Sequence, residues 1–248
     1  MRLLIAIPVL NELKYVERVL SKVRDFHSDI LVVDDGSTDG TGELLERRAD
    51  IQLIRHPKNL GYGQSVIDSF HHAQATGYDW VITMDCDEQH EPEMIPQFVD
   101  QIEAGRWDII SGSRYLAPSN DDDLPPGDRR MINSTMTALI NGSLDLPITD
   151  AFCGFKAHRV SAMIPLRLDE PGYAFPMQLW PRAVAAGLRI TEIPVRLIYN
   201  DPNRYFGGSL DDAAVRMAHY LDVFNRESKW QPPAEATESD RFCFCGPQ

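Results

Sequence analysis

Short apolar runs alternate with helix-length amphipathic segments through the first 111 residues, and this alternation limits the possible folds more than any other feature. Leu3–Ile7, Ile30–Val33 and Ile51–Ile54 read as strands, and Trp80–Met84 as a strand buried on both faces. Between them, helices are expected over Leu13–Val23, Glu43–Arg48 and Gln64–Ala75, followed by one from Pro92 to about Glu103 and a fifth strand at Asp108–Ser111. Val16, Val19, Leu20 and Val23 recur at helical spacing and give the first helix a single apolar stripe. Pro92 sits where a helix tolerates it, in the first turn. Strands joined by helices of this length require right-handed crossovers. The expected class is therefore α/β, a mostly parallel doubly wound sheet with helices on both faces.

The pattern breaks between Leu116 and Arg130, where Asn120-Asp-Asp-Asp-Leu-Pro-Pro-Gly127 is too polar and proline-rich for an element. A loop of this kind beside a site is either a lid or an exposed connection. Beyond it the sequence predicts a helix over Met131–Asn141, a short strand region over Ile148–Lys156, and a helix over Phe175–Ala186 despite Pro176 and Pro181. A strand is expected over Arg189–Ile198 and an amphipathic helix over Asp211–Phe224. The expected domain is residues 1–226, with a disordered tail over 227–248.

Composition excludes several classes. With 43% hydrophobic residues, the 248-residue chain can bury a substantial core. Its formal net charge of −13 argues against nucleic acid as a partner, because phosphates need a basic footprint. An anionic substrate therefore needs a metal and a few local arginines. The first ten residues resemble a signal peptide superficially, but Pro8 breaks the run and Asn11-Glu12 follows without a small-residue cleavage site. No run approaches the roughly 18–20 apolar residues of a membrane span. Cys86, Cys153, Cys243 and Cys245 lack paired metal-site spacing. A cytoplasmic location, peripheral to the membrane if the acceptor is a lipid, is expected.

Asp85 and Asp87 stand where the Trp80–Met84 strand ends, the position at which open parallel sheets bind ligands. Neighbouring carboxylates repel unless a cation lies between them, and all-oxygen ligands favour Mg2+ or Mn2+ completed by substrate phosphates. Gln89 can add a carbonyl oxygen. The functional reading is a metal–diphosphate site; taken alone, the pair also fits a solvated acidic turn. Other polar clusters fall at strand ends too: Pro8-x-x-Asn11-Glu12, Asp34-Asp35-Gly36-Ser37 and Gly112-Ser113-Arg114-Tyr115. Glu12 and Asp35 can accept hydrogen bonds from a base or ribose, and Arg114 can meet phosphate as a fork. Singly, they fit a helix-start acid, a turn residue and a surface ion-pair partner. Jointly, they outline one cleft.

These segments resemble the inverting GT-A nucleotide-sugar glycosyltransferases, and among them the dolichol- and polyprenyl-phosphate sugar transferases. The resemblance spans about Leu3 to Ser209 and rests on IPVLNE, VVDDGSTDGT, NLGYGQS, MDCDEQHEPE, GSRY, TDAFCGFKA and RYFGGS. It implies a nucleotide-diphosphate sugar donor, with Pro8, Leu10 and Glu12 lining the base pocket and Val33 and Asp35 reaching base and ribose. It further implies Asp85, Asp87 and Gln89 at the metal, with the Cys86 backbone alongside, and Arg114 and Arg204 neutralising phosphate, joined by Arg129 or Arg130 from the lid. A lipid-phosphate acceptor is already an anionic nucleophile and needs no strong base. A hydroxyl acceptor needs a positioned carboxylate, for which Asp150 is the candidate; a structural hydrogen-bonding role fits Asp150 equally well.

Three departures stand out. Leu210 replaces the lysine of the related Arg-x-x-Gly-x-Ser-Lys pattern, Gln178 stands where relatives carry glutamate, and no membrane segment follows. A lipid acceptor would then call for a membrane partner protein or the face of the Asp211–Phe224 helix, a face whose plainer use is core packing. Leu210 and Gln178 also motivate a second reading, a nucleotide-sugar-binding protein of weak or no activity on the same scaffold. A dinucleotide oxidoreductase is disfavoured: Gly61-x-Gly63 has Val66 in third place and lies well past its strand. A phospho-receiver domain is far shorter than this chain.

Overall fold

The computed structural model describes residues 1–116, 126–198 and 207–233. Its strands are β1 (Leu3–Val9), β2 (Ile30–Asp34), β3 (Gln52–Arg55), β4 (Trp80–Thr83), β5 (Ile109–Ser113), β6 (Lys156–Arg159) and β7 (Ile190–Pro194). They form one sheet in the order β3-β2-β1-β4-β6-β5-β7. Only β6 runs antiparallel, to β4 on one side and β5 on the other, so the other described strands all point the same way.

The helices are α1 (Val16–Arg24), α2 (Thr41–Glu46), α3 (Tyr62–Thr76), α4 (Ile95–Glu103), α5 (Gly127–Leu144), α6 (Val160–Met163), α7 (Phe175–Ala185) and α8 (Ala213–Glu227). Strand alternation divides the core between two faces. Leu3, Ile5, Ile7, Trp80 and Ile82 pack with α1, α4 and Leu45 of α2, whereas Leu4, Ala6, Val81 and Ile109 pack with α3, α5, α7 and α8. The stripe Val16, Val19, Leu20 and Val23 is fully buried, as its spacing predicts. The doubly wound reading of the sequence holds.

Some boundaries differ. The strand expected at Ile148–Lys156 begins only at Lys156, because Thr149 and Asp150 are pinned in a turn by Glu192 and Arg114. A run reading Lys-Ala-His-Arg gives no apolar signal, and it is buried by its neighbours: Lys156 pairs with both Thr83 and Ser111. Helix α5 starts before Met131, at Gly127, and continues to Leu144; residues 117–125 of the expected loop lie outside the described residues. The first residues of the tail expected from Glu227 are packed against the domain. Glu227 is buried and accepts from Arg182 Nε at 2.7 Å, and Trp230 packs against the core with its ring 5.5 Å from the Arg182 guanidinium. Residues 234–248 lie outside the described residues.

Tyr220, Val223 and Phe224 of α8 are buried, so this side of the helix is used for core packing. Among the described residues no helix is long and apolar enough to cross a membrane.

Candidate active site

Strand order reverses between β1, whose chain neighbour β2 lies on one side, and β4 on the other. In a parallel sheet this switch point opens a crevice at the carboxyl ends. The β1–β4 pairing stops at Ala6 opposite Thr83, beyond which β1 continues through Pro8. Proline has no N–H to donate, and here β4 has already turned away towards Asp85. The crevice is a cleft of about 660 Å³ lined by Pro8, Leu10, Glu12, Asp35, Asp85, Cys86, Asp87 and Gln89, among others. The loops after β1, β2 and β4 thus meet at one place.

The loop after β4 is held in a fixed shape. Glu88 adopts a left-handed backbone (φ 60°), uncommon for a residue with a Cβ, and Arg18 of α1 forks onto its carboxylate at 2.5 and 2.7 Å. Asp87 is buried and accepts the Gln89 N–H at 3.0 Å. The Asp85 N–H donates to His90 Nδ1 at 2.9 Å. Burial drives the His90 pKa down to about 4, so its imidazole is neutral at physiological pH. The Cys86 thiol belongs to the core, which leaves its main chain to face the cleft.

Asp35 anchors the opposite wall. Its carboxylate accepts from the Leu60 N–H at 2.7 Å, the Gly61 N–H at 2.9 Å and His56 Nδ1 at 2.7 Å. The chain between His56 and Gly61 is thereby drawn onto the end of β2.

Beside Asp85 lies a second chamber of about 230 Å³. Tyr62, Asp85, Gln89, Arg129 and Tyr173 line both cavities and form the partition between them. The chamber wall is apolar at Val66, Ile132, Phe152, Phe175, Leu179 and Tyr220, and it carries the cations Arg114, Arg129, Lys156 and Arg216. Lys156 is buried, and its ammonium caps the Cys153 carbonyl and lies 5.4 Å over the Trp180 ring. Burial, reinforced by the Arg114 charge, lowers its pKa. Arg216 reaches the chamber from α8 while bonded to the Leu210 carbonyl at 2.7 Å and Asp128 at 2.6 Å.

The model of glycosyl transferase family 2 matches residues 4–166, through both carboxylates of the β4 loop and on to the turn after α6. The chain belongs to glycosyl transferase family 2. It is 30% identical over 231 residues to the undecaprenyl-phosphate mannosyltransferase of Micrococcus luteus, covering 89% of this chain and 94% of that protein. It is 28% identical to the polyprenol monophosphomannose synthase of Mycolicibacterium smegmatis, covering 88% and 86% respectively. Among solved structures, glucosyl-3-phosphoglycerate synthase from Mycobacterium tuberculosis, in complex with Mn2+, UDP and phosphoglyceric acid, superposes with a TM-score of 0.70 at 15% identity, over 94% of this chain and 80% of that one. That likeness establishes the GT-A fold. The protein is a glycosyltransferase.

Within this family 2 enzyme several sequence-derived roles need correction. Val33 is fully buried one residue short of the end of β2, opposite Pro8, and packs in the core, so its side chain lines neither cavity. Arg130 is exposed and lines a shallow groove with Tyr115 and Met131; one residue earlier, about 100° around α5, Arg129 faces both cavities. Asp150 is not placed to act as a base: it is fully buried and accepts from Arg114 at 2.6 and 2.9 Å and from Asn133 at 2.9 Å. Burial alone would raise its pKa, but the Arg114 charge and these bonds hold it well below the usual carboxylate range. Arg204 lies outside the described residues. Gln178 is fully buried: its carbonyl accepts the Asp169 and Glu170 N–H groups, and its amide donates to Asp169.

Sequence reasoning missed Tyr62, Tyr173, Lys156 and Arg216 as lining residues. Only Tyr62 carried a signal, as the large residue held between Gly61 and Gly63.

The donor set of the glycosyltransferase fits a hard divalent cation. Among the described residues no three His, Cys, Asp or Glu side chains group as a metal cage, yet Asp85, Asp87 and the Gln89 amide share one cleft. One or two carboxylates completed by substrate phosphates is the usual Mg2+ arrangement.

Proposed function

We propose that this glycosyltransferase moves a hexose, mannose or glucose, from a nucleotide-diphosphate sugar to the phosphate of a polyprenyl- or dolichyl-phosphate-like lipid, with inversion. The observation that carries this reading is the cationic, apolar-walled chamber joined to the 660 Å³ cleft across Asp85, Gln89 and Arg129. A phosphate monoester fits beside Arg114, Lys156 and Arg216, and the first isoprene units fit against Phe152, Phe175 and Leu179. The two relatives, an undecaprenyl-phosphate mannosyltransferase and a polyprenol monophosphomannose synthase, support this reading.

The donor nucleoside lies against Pro8, Leu10 and Glu12, with Asp35 bracing the wall opposite. A divalent cation, Mg2+ or Mn2+, held by Asp85, Asp87 and Gln89, would neutralise charge on the donor diphosphate and make it a better leaving group. The fold neighbour from M. tuberculosis has been solved with either ion, alongside UDP. Arg114, fixed by Asp150, and Lys156 orient the acceptor phosphate so that one of its oxygens attacks the anomeric carbon as the diphosphate leaves. The acceptor oxygen is anionic from the start, which suits a chamber whose buried carboxylate, Asp150, is committed to Arg114. The cation missing at Leu210 has a substitute in Arg216, whose guanidinium is tied to the carbonyl of that same leucine.

The test is transfer from radiolabelled GDP-mannose, and in parallel UDP-glucose, to undecaprenyl phosphate in detergent with Mn2+. The expected result is label in the organic phase, abolished by chelation and by Asp87→Ala. Label appearing only on a hydroxyl acceptor would refute the lipid-phosphate reading. Binding of the donor with no turnover on any acceptor would make the chain a nucleotide-sugar-binding protein on this scaffold.

A further inference from the structure

Asp85 is gripped from two sides, by His90, which lines neither cavity, and by Tyr62 in the partition between them. On one side is His90. Its Nδ1 accepts the Asp85 N–H at 2.9 Å, which puts the ring proton on Nε2, and Nε2 lies 3.8 Å from Asp85 Oδ2. Both nitrogens of one imidazole thus address one residue. The ring cannot turn away: it is buried and stacks on Phe155 at 5.1 Å, and Phe155, itself fully buried, packs on Phe98 at 4.6 Å.

Tyr62 closes from the other side. Its hydroxyl stands beside the Asp85 carboxylate, the two meeting over Gly154, and its ring stacks on Tyr173 at 5.9 Å with 11° between planes. The tyrosine is fixed at the start of α3 by the glycines flanking it. A Cβ on Gly61 would stand 2.3 Å from the Pro171 carbonyl oxygen and one on Gly63 2.2 Å from that of Glu170, so this turn is pressed against the 170–172 segment. Gly154 forms the floor, where a Cβ would lie 2.8 Å from both Asp85 Oδ2 and the Tyr62 hydroxyl. Any side chain at 154 would collide with both groups, so the glycine leaves the Asp85 carboxylate its place beside Tyr62.

The geometry points to His90 and Tyr62 as positioning residues for the metal site: they lock the main chain and the carboxylate of Asp85, so that a divalent cation arriving with a nucleoside diphosphate meets a ligand already in place. This rests on the reading of Asp85 as a metal ligand. Groups that orient a ligating side chain act on affinity by sparing it the cost of being ordered when the ion binds, and their removal commonly weakens metal binding about 10- to 100-fold. His90 does so through an acceptor at Nδ1, so an asparagine, whose amide oxygen takes nearly the same place, replaces it better than any apolar ring.

The experiment is Mn2+ titration of the full chain with GDP, and in parallel UDP, followed by the electron paramagnetic resonance signal of free Mn2+. Nucleotide affinity in chelator and melting temperature are measured on the same samples. Asp85→Asn is the reference for loss of the ligand itself. His90→Phe and Tyr62→Phe should each weaken Mn2+ binding about 10-fold or more, His90→Phe should leave nucleotide affinity in chelator within a factor of about two, and His90→Asn should recover most of the loss. A purely structural role would lower the melting temperature without this split. Mn2+ affinity unchanged in both phenylalanine variants would overturn the proposal, as would His90→Asn failing as badly as His90→Phe. Should His90→Phe not fold, Tyr62→Phe gives the same readout. Because neither acceptor nor turnover enters the assay, failure of the lipid-phosphate reading would leave the result intact, whereas an unaffected Asp85→Asn would refute the metal assignment and this inference together.

Discussion

Arg114 and Asp150 form a two-pronged pair, Nε to Oδ2 at 2.6 Å and Nη2 to Oδ1 at 2.9 Å, with the carboxylate fully buried. The turn carrying Asp150 is itself held by Glu192, which accepts the Thr149 and Asp150 N–H groups at 2.7 and 3.1 Å. The arginine that faces the chamber is thus aimed by a carboxylate on the turn before β6 and braced from β7.

Removing that carboxylate leaves a half-buried guanidinium without its partner. Asp150→Ala is expected to cost about 3–5 kcal/mol, the usual penalty for breaking one side of a buried pair. Urea denaturation measures it, and a loss below about 1 kcal/mol would show that the pair is not a structural anchor. The folded pKa of Asp150 lies below its unfolded value, so its contribution is complete above about pH 4 and is lost as the pH falls below that. The gap in melting temperature between the parent and Asp150→Asn should accordingly narrow on acidification below pH 4.

Gly154 has no positive φ to explain it; what it supplies is space beneath Asp85 and Tyr62. Gly154→Ala is expected to weaken metal-dependent donor binding about tenfold, as loss of an orienting contact does, with the melting temperature changed by only a few degrees. A thermal-shift titration of donor with and without Mn2+ checks this, and an undiminished metal-dependent shift would contradict it.

His158 is 1% exposed, edge-on to Phe70, and its Nδ1 has no hydrogen-bond partner among the described residues. Burial, reinforced by the Lys156 charge, lowers its pKa to about 3. The unfolded chain therefore binds a proton that the folded chain refuses between about pH 6.5 and pH 3, and stability falls as the pH drops through that window. His158→Gln should flatten this slope in melting curves taken from pH 7 to pH 4. A slope unchanged from the parent would place the acid sensitivity elsewhere.

Gln178 meets two main-chain donors with its carbonyl and the Asp169 carboxylate with its amide. Gln178→Glu keeps the first role and reverses the second, setting two carboxylates against each other. A loss of about 1–3 kcal/mol is expected from urea denaturation. The departure from glutamate at this position is then a matter of local charge pairing with Asp169. Unchanged or higher stability in the variant would count against it.

Much of the candidate site was legible because strand ends are legible. Apolar runs such as Leu3–Ile7 and Trp80–Met84 announce their own termini, and in a parallel sheet those termini share one rim, so Glu12, Asp35, Asp85 and Asp87 could be gathered before any coordinate was known. Val33 was misread because a residue one or two places short of a strand's end has its side chain fixed by the pleat, and at that place the pleat points into the core. Arg129 and Arg130 differ only in helical phase, which depends on where α5 begins. The start at Gly127 follows a loop whose sequence gives no such boundary.

By itself the sequence determined the α/β class, the succession of elements and the chemistry on the rim of the cleft, since periodicity and strand-end polarity are local properties carried by neighbours along the chain. The tertiary structure alone decided that a polar segment, Lys156–Arg159, would become a buried antiparallel strand, that Asp150 would be spent on Arg114, and that Tyr62 and His90 would close on Asp85. Those outcomes depend on which residues distant in sequence come within hydrogen-bonding reach, and burial converts a side chain's meaning: a buried carboxylate forked by a guanidinium becomes an anchor, where the same carboxylate in water would have been a base.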